Sequence, residues 1–270
     1  REQRVEAHEL HLRRFPWVEM QPGGTFDIRW ETLEPSPSGH AWWGVTVPDQ
    51  AIAAARLRKG AREILDGNET DHAISCQVHT LEQPAYDISH LSGRGGVINW
   101  RVEQYVPARA TSMYVDGRFR YRVDDAGRYH RAPAVIEGPF VDMPERGNWE
   151  IAFRTDLPVQ VALALSGEGI ATQTVMSETP GTEFELTLPV LPPETRIDYQ
   201  IFLMGSDHHI VEEQAFAFRT HVEVDTPFSF AFMSDSRGAS GGAERAYHGT
   251  NALAIRSLMT HIYERDVDLI

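Results

Sequence analysis

The 270-residue sequence has a single cysteine, Cys76, so no disulfide can form within the chain and its folded parts must hold together through core packing. It has no surplus of basic residues: 25 Lys and Arg stand against 39 Asp and Glu, a formal net charge of −14. Such a field repels a phosphate backbone unless a local basic patch overrides it, so nucleic acid is not an expected partner. Nowhere do roughly 18 apolar residues follow one another, and no membrane-spanning helix is predicted. The charged opening Arg1-Glu2-Gln3-Arg4 is not a signal peptide. Any export signal is expected to have been cleaved or to lie upstream; the compartment stays open, with an extracellular or periplasmic one favoured. A linker run is also missing: the 16 Pro and 21 Gly are scattered between short apolar runs, as expected of many strands joined by many turns.

What is present is a repeat. Pro16-Trp17-Val18-Glu19-Met20 recurs as Pro139-Phe140-Val141-Asp142-Met143, an offset of 123. Without a gap, Gly24, Phe26, Asp27, Ile28, Trp30 and Thr32 then meet Gly147, Trp149, Glu150, Ile151, Phe153 and Thr155. In both copies large apolar residues alternate with polar ones, the period of two that turns every second side chain to one buried face of a strand. A duplicated β-sandwich module is predicted.

Further along the second copy, Leu186-Thr187-Leu188 precedes Leu191-Pro192-Pro193-Glu194-Thr195, after which Ile197, Tyr199, Ile201 and Leu203 alternate again. This strand, corner and strand resembles the leucine-x-proline-x-threonine corner of fibronectin type III-like domains. A tyrosine often follows two residues after that threonine, and Ile197 stands there instead, so no tyrosine corner is claimed. In the first copy, the Gly93-to-Gly96 turn leads into Ile98, Trp100 and Val102 as the return strand. Ala51 to Lys59, nearly free of β-branched residues, reads as a short helical insertion. Residues Tyr114 to Tyr129, with turn signals at Asp116-Gly117 and Asp125-Ala126-Gly127, read as a hairpin joining the modules.

After Pro227 the pattern changes. Phe228 to Met233 is a nearly continuous apolar run, as in a strand covered on both faces, and it ends at Ser234-Asp235-Ser236-Arg237-Gly238. A Gly-rich loop follows, and Asn251 to Arg265 spaces Leu253, Ile255, Leu258 and Ile262 close to a helical period. Val267 to Ile270 opens a second apolar run, so a right-handed βαβ unit is predicted, cut off in mid-strand. Asp235 then sits at the carboxyl end of a parallel strand, where α/β sheets place ligands.

The segment from Phe228 to Ile270 resembles the first βαβ unit of the calcineurin-like metallophosphoesterases, a family that includes the purple acid phosphatases. Their first motif is aspartate, any residue, histidine, glycine, and Asp235, Ser236 and Gly238 fit it. The order of sandwiches before this motif resembles the accessory domains of purple acid phosphatase-like enzymes. The resemblance implies hydrolysis of phosphate esters by a metal-bound hydroxide, with a divalent or di-nuclear centre of Fe, Mn or Zn. It makes Asp235 a metal ligand, and Arg237 and Asn251 groups facing the substrate phosphate. Arg237 replaces the histidine, and a guanidinium has no lone pair for a metal. Two readings stay open for Arg237: a catalytic fork that neutralises phosphate charge, or the mark of a site that has lost a metal and its activity. In the second, the protein is a non-catalytic sandwich binding or surface-structural protein with a vestigial phosphoesterase portion.

Other candidates weigh less. His208 and His209 follow Asp207, but neighbours on an extended strand point to opposite faces, and a polar turn is expected. His248 reads as a solvent-facing loop residue. Asn251 caps its helix in the bland reading. Gly238-Ala239-Ser240-Gly241-Gly242 matches a nucleophile elbow, yet the helical pattern begins about ten residues too late for one. Of Trp42 and Trp43, one is expected in the core.

The expected fold is therefore mainly β: residues 1–107 form a first sandwich with a helical insertion, 108–223 a second, fibronectin III-like sandwich, and 224–270 the start of an α/β metallophosphoesterase domain.

Overall fold

The computed structural model describes residues 11–45, 59–63, 69–78, 95–145, 147–213 and 215–220, together with Ser229 and Ile262. The described chain is mainly β and divides after Arg131 into two compact units.

The first unit contains, in chain order, β1 (Leu12–Met20), β2 (Thr25–Ser36), β3 (His40–Val45), β4 (Lys59–Arg62), β5 (Glu69–Gln77), β6 (Gly95–Val106), β7 (Thr111–Val123) and β8 (Tyr129–Ala132). One sheet runs β1-β2-β5, the other β4-β3-β6-β7-β8, and all pairs for which a register is defined are antiparallel. The alternation in β2 puts Phe26, Ile28 and Trp30 in the core at 0% exposure, and Ile98, Trp100 and Val102 of β6 are buried in the same cluster. Of the two adjacent tryptophans, Trp43 is buried and Trp42, on the other face of β3, is half-buried.

The second unit contains β9 (Val135–Glu145), β10 (Asn148–Gly167), β11 (Ile170–Met176), β12 (Gly181–Thr187), β13 (Arg196–Met204), β14 (Ile210–Glu212) and β15 (Phe216–Arg219). β10 serves both sheets. Its first half pairs with β9 and β12, its second half with β11 and β13, and the change falls around Asp156-Leu157-Pro158, where proline has no ladder N–H to lose. β13 is flanked in turn by β14 and β15. The same strand order appears in the first unit, where β2 and β3 do the work of the two halves of β10. A three-stranded sheet facing a sheet built around the return strand is a fibronectin-like sandwich, present twice.

The repeat extends to the pairing register. Val18 faces Ile28 and Glu19 faces Asp27 in the first unit; Val141 faces Ile151 and Asp142 faces Glu150 in the second, each at the same offset. Gly24 and Gly147 both hold φ near +80° (81° and 83°) in the connection between these strands, a left-handed conformation that favours glycine.

Two expectations are corrected. Asp116-Gly117 is not a turn: β7 runs through it, paired along its length with β6, so this strand belongs to the first sandwich and the described boundary between units lies after Arg131, not at 107. The turn is at Asp124 to Arg128 alone, where Gly127 N donates to Asp124 O. Lys59, placed in the helical insertion, opens β4; Ala51 to Arg58 lie outside the described residues. The βαβ unit is not seen, because apart from exposed Ser229 and buried Ile262 its residues lie outside those described.

The fibronectin-like corner is closed without a tyrosine. Ile197 is buried at 1% exposure, and the Thr220 hydroxyl, on the strand end beside it, donates to Pro192 O at 2.7 Å and accepts from Thr195 N at 2.8 Å. Tyr199 packs instead, stacked on Phe216 at 5.4 Å between centroids, and burial pushes its phenol up to about 12.

Candidate functional site

Asp235, Arg237 and Asn251, with His248 and the Gly238–Gly242 run, lie outside the described residues. Among the described residues no group of three or more His, Cys, Asp or Glu could hold a metal ion. His208 and His209 belong to the β13–β14 turn: His208 N donates to Gly205 O at 3.0 Å, and His209 N to the Asp207 carboxylate at 3.1 Å.

Two gatherings of polar groups in the first sandwich bear on a site. The first is buried. Glu63 accepts from Gly39 N at 2.9 Å, Ala73 N at 2.7 Å and His72 Nδ1 at 2.9 Å. His72 stacks on Trp30 with ring centroids 5.1 Å apart and planes 6° from parallel. Trp30 Nε1 donates to Gln104, whose amide donates to Pro37 O. Glu63, His72, Trp30 and Gln104 are all buried. This is a structural network that ties β2, β4, β5 and β6 together.

The second place is on the outer face of the five-stranded sheet. Register puts Arg62 of β4 opposite His40 of β3, His40 opposite Glu103 of β6, and Glu103 opposite Tyr114 of β7. Since neighbouring strands lie about 4.8 Å apart, these four residues form one row roughly 14 Å long across the sheet. The next row carries Gly60, Trp42, Arg101 and Asp116. Arg101 and Asp116 form a buried ion pair, Nε to Oδ1 at 2.8 Å and Nη2 to Oδ2 at 3.1 Å. Bidentate geometry with both side chains almost fully desolvated fixes this part of the face rigidly.

Beside that pair, a cleft of about 410 Å³ is lined by Pro37, Ser38, His40, Arg62, Glu103, Tyr105 and Ser112. Tyr105 and Ser112 are register partners, and Tyr105 is 41% exposed. His40 leans on Trp42, with ring centroids 3.7 Å apart, and Gly60 makes the space: a Cβ there would lie 2.9 Å from Trp42 Cδ1 and 3.1 Å from His40 Nε2. Burial lowers the pKa of His40 and Arg62 lowers it further, against the opposing charge of Glu103. The Tyr114 hydroxyl donates to Glu103 at 2.9 Å; burial, then that bond and charge, raise the phenol. The arrangement offers hydrogen-bond donors and acceptors of both charges beside one open ring. Sequence reasoning did not find it, since its residues come from four strands and share no local motif; the signal that could have found them is the strand register.

No family model matches the chain, and no curated protein does. Solved structures similar to it include a purple acid phosphatase from yellow lupin (Lupinus luteus) seeds, at 8% identity and a TM-score of 0.36, with 91% of this chain covered. The chain spans 47% of that structure's length. A two-domain fibronectin type III segment of chicken tenascin is similar at 10% identity and TM-score 0.23, covering 76% of this chain and 97% of that one. The chicken interferon gamma receptor alpha chain is similar at 9% identity and TM-score 0.28, covering 79% and 100%. The fold assignment rests on strand order and register, not on these likenesses.

Proposed function

We propose that this chain is the amino-terminal part of a metal-dependent phosphoesterase, two accessory sandwiches leading into a catalytic portion that hydrolyses phosphate esters. The observation that carries the reading is the sequence Asp235-Ser236-Arg237-Gly238 just after the apolar run Phe228 to Met233, following a duplicated sandwich. A carboxylate such as Asp235 suits a divalent Fe, Mn or Zn centre by donor chemistry, whereas Arg237 does not. A bound metal would supply Lewis-acid polarisation of the phosphoryl group and activation of water. Arg237 takes a different part: its planar fork binds two phosphate oxygens and offsets charge that builds on them. Asn251 adds a neutral donor to the same phosphate. Against a net charge of −14, such a local cation helps to hold an anionic substrate.

A non-catalytic reading is favoured by one observation, the arginine at the histidine position. Metal analysis and aryl-phosphate hydrolysis on the full-length protein separate the two. Bound metal and hydrolysis that both drop in Asp235→Asn support the enzyme; equal metal content and equal rate in the two proteins sink the role given to Asp235.

A further inference from the structure

We propose that the cleft on the outer face of the first sandwich, between Arg62, His40, Glu103, Tyr105 and Ser112, binds a neutral carbohydrate of about two sugar rings. Its volume, about 410 Å³, lies in the range of small-ligand sites, roughly 300 to 1,000 Å³. The chemistry of the walls narrows the ligand. One guanidinium and one carboxylate flank His40 on neighbouring strands, so the formal charges cancel and neither sign of ion is selected. A phosphate or sulfate would be opposed by Glu103 and by the net charge of the chain. A purely apolar ligand would strip water from Arg62, Glu103 and two serine hydroxyls without replacing it. An extended peptide binds sheets through backbone groups at an edge, and this cleft lies on a face.

A pyranose meets the remaining requirements. Vicinal hydroxyls donate to the Glu103 carboxylate and accept from the Arg62 fork, and the hydroxyls of Ser38 and Ser112 serve in either sense. The C–H face of the ring covers Tyr105, which is 41% exposed on a strand held by its pairing with β7. The Arg101–Asp116 pair in the next row and the contact of His40 with Trp42 keep the walls in place before the ligand arrives. This inference does not depend on the phosphoesterase reading.

The test is a titration of the intact isotope-labelled chain, followed by amide shifts, with maltose, cellobiose and chitobiose in turn, and with glycylglycine and sodium sulfate as charged probes. The expected result is saturable shifts for one disaccharide, confined to β3, β4, β6 and β7, unchanged by added salt, with Kd in the range of about 0.1 to 10 mM. Tyr105→Ala, at a half-exposed position, keeps its melting temperature and weakens binding about tenfold or more, as does Glu103→Gln. The proposal is overturned if no disaccharide shifts these residues at about 50 mM, if Tyr105→Ala binds as tightly as the parent, or if only the dipeptide or sulfate binds.

Discussion

Thr32 and Thr155 make the same hydrogen bond in the two sandwiches: each hydroxyl donates to the carbonyl two residues on, Glu34 at 2.7 Å and Leu157 at 2.8 Å. Both threonines are buried, at 2% and 3% exposure, and both end the alternating run of their strand where the chain crosses from one sheet to the other. The hydroxyl satisfies a carbonyl that the ladder has left behind. Replacing Thr155 by valine keeps the shape and takes this donor from Leu157 O, at a cost of about 1–2 kcal/mol, whereas Glu34 O still accepts from Ser36 Oγ at 3.2 Å, so Thr32→Val should cost less. Because the two sites lie in separate units with no shared partner, Thr32→Val and Thr155→Val are expected to act independently. Urea unfolding of the single and double variants measures this. A Thr32→Val change that shifts the unfolding of the second unit would contradict it.

Glu63 holds three donors of the first sandwich with one buried carboxylate: two backbone N–H groups and His72. Glu63→Ala leaves all three without that acceptor in a dry environment, and the loss is expected to be large, about 3–5 kcal/mol. Glu63→Gln keeps the size and one acceptor oxygen and should cost less. Melting temperatures that order the proteins as parent, Gln variant, Ala variant bear out the network; an Ala variant as stable as the parent removes it.

Gly117 shows where the sequence misleads. Asp-Gly is a strong hairpin signal because glycine tolerates positive φ, but here the glycine is used for space. A Cβ on it would run into the Trp100 ring, and the preceding Asp116 is taken up by Arg101. Gly117→Ala is therefore expected to destabilise the first sandwich by about 1–3 kcal/mol through overpacking, whereas Gly127→Ala, in the real turn, has nothing within 4 Å and meets only the strain of its φ of +76°. Thermal melts of both variants, with Trp emission as the probe of Trp100, distinguish crowding from backbone strain.

The contrast between these residues explains what was legible. The alternation of Phe26, Ile28 and Trp30, and its echo at Trp149, Ile151 and Phe153, is local, so the buried faces and the duplication could be read from one pass along the chain. The row Arg62, His40, Glu103 and Tyr114 joins residues up to 74 positions apart by register, and no local pattern carries it. The closure of the corner by Thr220 instead of a tyrosine was hidden for the same reason: its partners, Pro192 and Thr195, lie some 25 residues upstream. Asp235 and Arg237 stand in a motif that is local in sequence, and both lie outside the described residues.

Asp124 caps the β7–β8 turn. Its Oδ1 accepts from Ala126 N at 3.0 Å and Arg128 N at 2.9 Å, and its Oδ2 from Arg128 Nε and His130 Nε2, both at 2.9 Å. The His130 bond first, then the Arg128 backbone bond, hold this carboxyl well below its ordinary value of 3.8. A depressed folded-state pKa stabilises the fold in full above the unfolded value and is lost as pH falls through the folded one. The stability gap between the parent and Asp124→Asn should accordingly be level between about pH 5 and 6 and close as the pH drops below about 4. The turn is at the surface, so the gap should also narrow in about 1 M salt. Urea midpoints across this pH range give the answer: a gap that widens on acidification would show that the charge on Asp124 opposes folding instead.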